Sequence, residues 1–186
     1  MKIVNINKLL GLLIVILALA NPSVGSSAEL LVEANVVSYV KVTNNSPTVN
    51  IGAVNSDRVE GSFWFTIESN TKRISIQSLV THLYRDKNPE LDYISVDESA
   101  GVDLMPTEAT SINGGDLNAA FTSTDLLNKA NGAFNGYKTE QVDLESSQGD
   151  FFNQEIELSS TWTRGNEIKP AGTYSGYIVL YVAVLQ

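Results

Sequence analysis

The sequence predicts an all-β protein built as an antiparallel β-sandwich, and three observations lead there. Apolar and polar residues alternate in short runs, while clusters of Gly, Pro, Asn and Ser divide those runs at close intervals. Helical periodicity is scarce, and no internal repeat interrupts the pattern, so two packed sheets are the expected outcome.

The first residues stand outside that pattern. Lys2 and Lys8 precede an apolar run from Leu9 to Ala20, and Ser26-Ser27-Ala28 supplies small residues before Glu29, the layout of a secretory signal peptide over residues 1–28. Cleavage after Ala20, in Ala18-Leu19-Ala20, is the other possibility. The apolar run falls short of the about 20 residues a membrane-spanning helix takes, so no integral membrane segment is expected after cleavage.

The strands follow in order. From Leu30 to Val42 the even positions Leu30, Val32, Ala34, Val36, Val40 and Val42 are apolar while Glu33, Asn35 and Lys41 are odd, which predicts a long half-buried strand. Thr43-Asn44-Asn45-Ser46-Pro47 reads as a turn and Thr48–Ile51 as a short strand. Phe63, Phe65 and Ile67 share one face of the next strand. Residues 69–73 then turn the chain and Ile74–Leu83 answers, which predicts a hairpin. Tyr93–Val96 is a further strand.

From Asp97 to Asp150 the composition turns polar, and an irregular central insertion is expected, with a short helix over Asp125–Ala130 capped by Thr124 and ended at Gly132. Alternation returns in Phe152–Thr163 through Ile156, Leu158, Ser160 and Trp162. The last strand, from Tyr174, carries Ile178, Leu180, Val182 and Val184 on one side and Tyr177, Val179, Tyr181 and Leu185 on the other, so it is expected to be covered on both faces.

Charge and chemistry narrow the function. The formal charge is −9, and −11 once residues 1–28, with two lysines and no acid, are set aside. Clustered Lys and Arg are missing, which argues against nucleic-acid partners. With no cysteine, stability must come from packing and strand pairing. His82 is the one histidine and no nucleophile-elbow motif occurs, so catalysis is not expected and no catalytic residue, metal or cofactor is assigned. Asp92, Asp97, Glu98 and Asp103, or Asp143, Glu145 and Asp150, could offer oxygen ligands to calcium, but without the spacing of an EF-hand they read as solvated acidic loops. Asn44-Asn45-Ser46 fits a glycosylation acceptor and carries no weight. Tyr174, Tyr177 and Tyr181, with Trp64 and Trp162, could form a carbohydrate platform, though packing is the plainer explanation for aromatic residues on sandwich strands.

Three segments carry a resemblance. Leu31-Val32-Glu33-Ala34-Asn35-Val36-Val37, Thr48-Val49-Asn50-Ile51-Gly52 and above all Pro170-Ala171-Gly172-Thr173-Tyr174-Ser175-Gly176 resemble chaperone-usher pilus subunits and the related spore coat protein U domain. Val40 stands near the place where the spore coat members carry a cysteine, which shifts the likeness toward the cysteine-free alpha-type fimbrial subunits. The resemblance implies an incomplete immunoglobulin-like sandwich lacking one strand. Its gap would be filled by a periplasmic chaperone in transit past an outer-membrane usher, and in the fibre by the leading segment of the next subunit.

On that basis residues 29–42 are expected to act as a donor-type strand through Leu30, Val32, Ala34 and Val36. Residues 43–186 would form the domain whose acceptor groove includes Ile178, Leu180, Val182 and Val184. The competing possibility is that Leu30–Val42 completes its own sandwich. The expected function is a structural subunit of a secreted pilus or biofilm matrix; the alternative is a secreted adhesive, carbohydrate-binding module acting as a monomer.

Overall fold

In the computed structural model, residues 36–45, 57–112, 117–165 and 167–185 are described. In chain order the strands are β1 (Val40–Asn44), β2 (Arg58–Ser69), β3 (Arg73–Thr81), β4 (Leu83–Arg85), β5 (Tyr93–Val96), β6 (Val102–Pro106) and β7 (Ala109–Ser111). There follow β8 (Asn118–Ala119), β9 (Phe121–Lys129), β10 (Gly132–Thr139), β11 (Val142–Ser146), β12 (Phe152–Thr163), β13 (Tyr174–Ser175) and β14 (Ile178–Val184). Every regular element among the described residues is a strand, and no helix there is long and apolar enough to cross a membrane.

The strands form an antiparallel β-sandwich. One sheet has eight strands, ordered β1-β2-β12-β5-β4-β13 with β6 on β12 and β8 on β6; the other has six, ordered β7-β11-β3-β10-β9 with β14 on the free side of β3. β2 and β12 pair along twelve residues, from Ser69 opposite Phe152 to Arg58 opposite Thr163. Alternation decides which side chains turn inward, because successive residues of a strand face opposite ways. Phe65 and Ile67 of β2 and Phe152, Ile156, Leu158 and Trp162 of β12 are therefore buried against Ile74, Ile76 and Val80 of β3 and Leu144 of β11. Each such side chain contributes about 1.5–3 kcal/mol on burial.

Val37–Gln186 is one compact unit. Of residues 1–36 only Val36 is described, and it is 78 % exposed. The leader 1–28, the segment Leu30–Asn35 and the expected strand Thr48–Ile51 lie outside the described residues. Within them, the first strand begins at Val40 instead of running through Val36, and Thr43 and Asn44, expected in a turn, still pair with β2.

Four further expectations are corrected. β2 and β3 do not form a hairpin: β2 pairs with β1 and β12, β3 with β10, β11 and β14, and the turn between them carries the chain from one sheet to the other. Alternation specifies which face a residue occupies and leaves the neighbouring strand open. Second, the helix over Asp125–Ala130 is absent; β9 and β10 form a hairpin in which Lys129 faces Gly132 across Ala130-Asn131. Gly132, just past the two-residue turn, takes φ +125°, a value open to glycine, and Leu126, 55 % exposed, offers a helix no buried face. Third, the stretch 97–150 is no irregular insertion, since β6 to β11 lie in it and place Val102, Leu104, Ala119, Phe134, Val142 and Leu144 in the core. Fourth, β14 is not covered on both faces, for Tyr181 and Ala183 are exposed while its even residues are half-buried.

The end of the chain spans both sheets. β13 pairs with β4 in the larger sheet and β14 with β3 in the smaller one, so β13–β14 follows β4–β3 in reverse across the sandwich. Both paths bend where Gly176 meets His82, and a Cβ on Gly176 would stand 2.6 Å from the His82 carbonyl oxygen. The Tyr177 N–H donates to Thr81 Oγ1 at 2.8 Å, and the Tyr174 hydroxyl donates to the Pro170 carbonyl at 2.9 Å. Pro170–Gly176 is thus the piece that moves the chain between sheets.

Candidate functional site

The candidate site lies where each sheet has an unpaired edge. Among the described residues β1 pairs only with β2, and β14 pairs only with β3, from Ile178 opposite Val80 to Val184 opposite Ile74. β1 and β14 approach each other without pairing.

Register shows which backbone groups face outward. On β14 the odd residues take the ladder bonds to β3: Thr81 N–H donates to the Tyr177 carbonyl and Leu185 N–H to the Arg73 carbonyl. The N–H and C=O groups of Ile178, Leu180, Val182 and Val184 accordingly point to the open edge. On β1 the Asn45 N–H donates to the Trp64 carbonyl, so the even residues there face outward as well. Edges of this kind present a template for another strand.

Side chains match the backbone. Ile178, Leu180 and Val182 pack against the core yet stay half-buried, as does Val40 of β1, and Val184 is half-buried beyond them. Each lies on the inner side of an edge strand that has no second neighbour among the described residues. The four groove residues expected from the sequence are thus brought together on one strand face. Of the donor residues, Val36 is described and exposed; Leu30, Val32 and Ala34 fall outside the described residues.

Two residues enter the edge region that the sequence did not single out. Val40, within the expected donor strand 29–42, pairs with β2 opposite Ser69 and packs against the core, and Asn70, in the turn after β2, holds the chain ahead of β1. Its Oδ1 accepts from the Tyr39 N–H at 2.8 Å and its Nδ2 donates to the Val37 carbonyl at 3.0 Å. Only the turn propensity of Asn marked that position.

The chemical candidates elsewhere are engaged structurally. His82 Nδ1 accepts the Val96 N–H at 3.1 Å and the ring stacks on Tyr93 with centroids 4.7 Å apart. Burial lowers its pKa, countered in part by the Glu98 carboxylate. The Tyr137 hydroxyl donates to Glu98 at 2.6 Å, and that bond, with burial, pushes the tyrosine pKa up to about 12. Asp97 pairs with Arg58 at 3.2 Å, and Glu145 with Lys72 at 2.5 Å and Arg73 at 3.1 Å. Among the described residues no group of three or more His, Cys, Asp or Glu is placed to hold a metal ion. Tyr177 and Tyr181 lie under Lys129 and Lys138, whose ammonium groups stand 5.0 and 5.3 Å from the ring centroids.

No family model matches the chain, and no curated protein matches it either.

Proposed function

We propose that the protein is a structural subunit of a secreted surface fibre, a pilus or biofilm matrix, that assembles by strand donation and performs no catalysis. The donor is the leading segment with Leu30, Val32, Ala34 and Val36; the acceptor is the slot of the next copy between β1 and β14. One observation carries the reading: two facing strand edges with outward backbone groups and a half-buried apolar row, Val40 on one side and Ile178, Leu180 and Val182 on the other.

An inserted strand would complete both ladders and cover that row, the mode of recognition in which backbone bonds give affinity and alternate side chains give register. Burying the donor face contributes on the order of 5–10 kcal/mol before ordering costs. Because donor and acceptor are different surfaces of one chain, the contact is head-to-tail and propagates into a filament. An incomplete immunoglobulin-like sandwich fits this scheme. It also implies two partners besides further subunits, a periplasmic chaperone that fills the slot in transit and an outer-membrane usher.

Deleting Glu29–Ser38 tests it. The intact secreted chain should form ladders on unheated gels and the truncated one should stay monomeric or chaperone-bound; an intact monomer as heat-stable as its truncation would refute donation.

A second reading is a monomeric carbohydrate-binding module. It draws on Trp64, 39 % exposed on the outer face of β2, and on a polar cavity of about 480 Å³ farther along that face, lined by Arg58, Glu60, Asp103, Ser159 and Thr161. A glycan array on purified monomer, with Trp64→Ala as control, separates the two.

A further inference from the structure

Asn70 sits at the end of the sandwich where β2 turns into β3, beside the first residue of β1 and the last of β14: Val40 faces Ser69, and Val184 faces Ile74. The slot described above runs from this end to the other. β1 enters it from here, so the residues just ahead of Val40 decide which way the chain upstream is sent.

Those residues are exposed and belong to no strand, yet side chains hold their backbone. The Asn70 amide takes the Tyr39 N–H at 2.8 Å and gives a hydrogen to the Val37 carbonyl at 3.0 Å, the two groups that flank Ser38. Ser69 Oγ donates to the Tyr39 carbonyl at 2.8 Å and accepts the Thr71 N–H at 3.2 Å. An amide side chain offers one acceptor and two donors, so Asn70 imitates a peptide group of a neighbouring strand and extends the pairing of β1 past its last backbone rung.

We propose that Asn70 is a positioning residue that keeps Val37–Tyr39 extended and so presents the leading segment to a second copy of this chain instead of to its own slot. The inference rests on the strand-donation reading. Self-insertion of Leu30–Val36 requires the chain to reverse between Val36 and Val40, and a reversal needs turn geometry over several residues. Between Val36 and β1 the chain has Val37, Ser38 and Tyr39, and Asn70 and Ser69 bond the backbone of the first and the last of them.

The test uses the absence of cysteine in the chain. Glu33→Cys and Ala183→Cys place one thiol on the donor segment and one on the solvent side of β14, both off the apolar faces, and a short bismaleimide reports whether they meet within one chain or between two. With Asn70 present, the products are between chains, a ladder on denaturing gels. Asn70→Ala raises the within-chain product about five- to tenfold, the change expected from losing one or two net hydrogen bonds. Asn70→Asp, which keeps the acceptor for Tyr39 and loses the donor to Val37, falls between. Thermal unfolding of each variant checks that the sandwich is intact. Equal ladders in all three overturn the inference and leave strand donation standing; within-chain product already dominant with Asn70 present overturns it too. No cross-link between the two positions in any variant overturns strand donation and this inference with it.

Discussion

The indole N–H of Trp162 donates to the carbonyl of Thr81 at 2.9 Å, a buried bond that ties β12 of the larger sheet to β3 of the smaller one. Phe63 meets the same indole edge-on with centroids 6.2 Å apart. Trp162→Phe removes the donor and leaves a void between the sheets, and should cost about 2–4 kcal/mol in chemical denaturation. Trp64→Phe, on the outer face, should stay within about 1 kcal/mol. Equal losses would contradict the placement of the two indoles.

The bend shared by the two sheet-crossing paths predicts a second effect. Gly176→Ala forces a Cβ to within 2.6 Å of the His82 carbonyl oxygen, and Gly136→Ala brings one to 2.5 Å from that of Val80, backbone atoms that cannot swing away. Each should destabilise by about 3 kcal/mol or more, at the upper end of single substitutions. Gly149→Ala, with nothing near its Cβ position, isolates the separate cost of a positive φ. Thermal unfolding of the three proteins gives the comparison.

Val182 and Tyr181 are neighbours on β14 with opposite exposures, inward and half-buried against outward and 43 % exposed. Val182→Asp puts a charge in the slot and should abolish ladders on unheated gels while the monomer still folds; Tyr181→Asp should leave the ladders in place. Loss of assembly in both, or in neither, would remove the slot from the assembly reading.

His82 gives a pH dependence with a definite sign. Burial depresses its pKa in the folded state below the ordinary 6.5, so the unfolded chain binds more protons in the interval between the two values. The contribution to stability is fully present above about pH 6.5 and is lost as pH falls from there through the lowered folded value. His82→Asn should flatten that step in melting temperature between pH 7.5 and the onset of carboxylate titration. An unchanged step would place the titrating group elsewhere.

Lys87 holds φ at +56° and Asp86 at +53°, the left-handed region that costs a side chain about 1 kcal/mol. Lys87→Gly keeps the Lys87 carbonyl that accepts from Asn131 Nδ2 at 2.5 Å, and should raise stability by about 0.5 kcal/mol. A fall on denaturation would mean the side chain makes a contact that matters more than the strain.

Inward-facing residues were legible wherever a strand is long: Phe65 and Ile67, or Ile156, Leu158 and Trp162, recur every second position and are buried together. Pairing was not legible, because the alternation of Phe65 and Ile67 against Ile74 and Ile76 is the same whether two strands lie side by side or face each other across the core. The polar stretch hid its strands for another reason. β6 and β11 are short, Val102 and Leu104 or Val142 and Leu144 are all the alternating apolar signal each has, and the residues between are acidic. As for the candidate site, the groove row of β14 could be read from Ile178 to Val184, whereas its opposite wall could not. Val40 looks like one more apolar position in a long strand until β1 is seen to begin there.

The last strand pairs with residues about a hundred positions earlier, Ile178 with Val80 and Val184 with Ile74. Loops that long close slowly, because chain entropy is surrendered before any contact compensates it. While the chain is being made, the edge of β3 from Ile74 to Val80 therefore stays without this neighbour until Ile178–Val184 emerge. A ribosome stalled short of Ile178 releases a polypeptide with a raw flank, the kind of species that clumps with its siblings. Quality control for this molecule is written into the order of synthesis: the strand that shields β3 is made about a hundred residues after it.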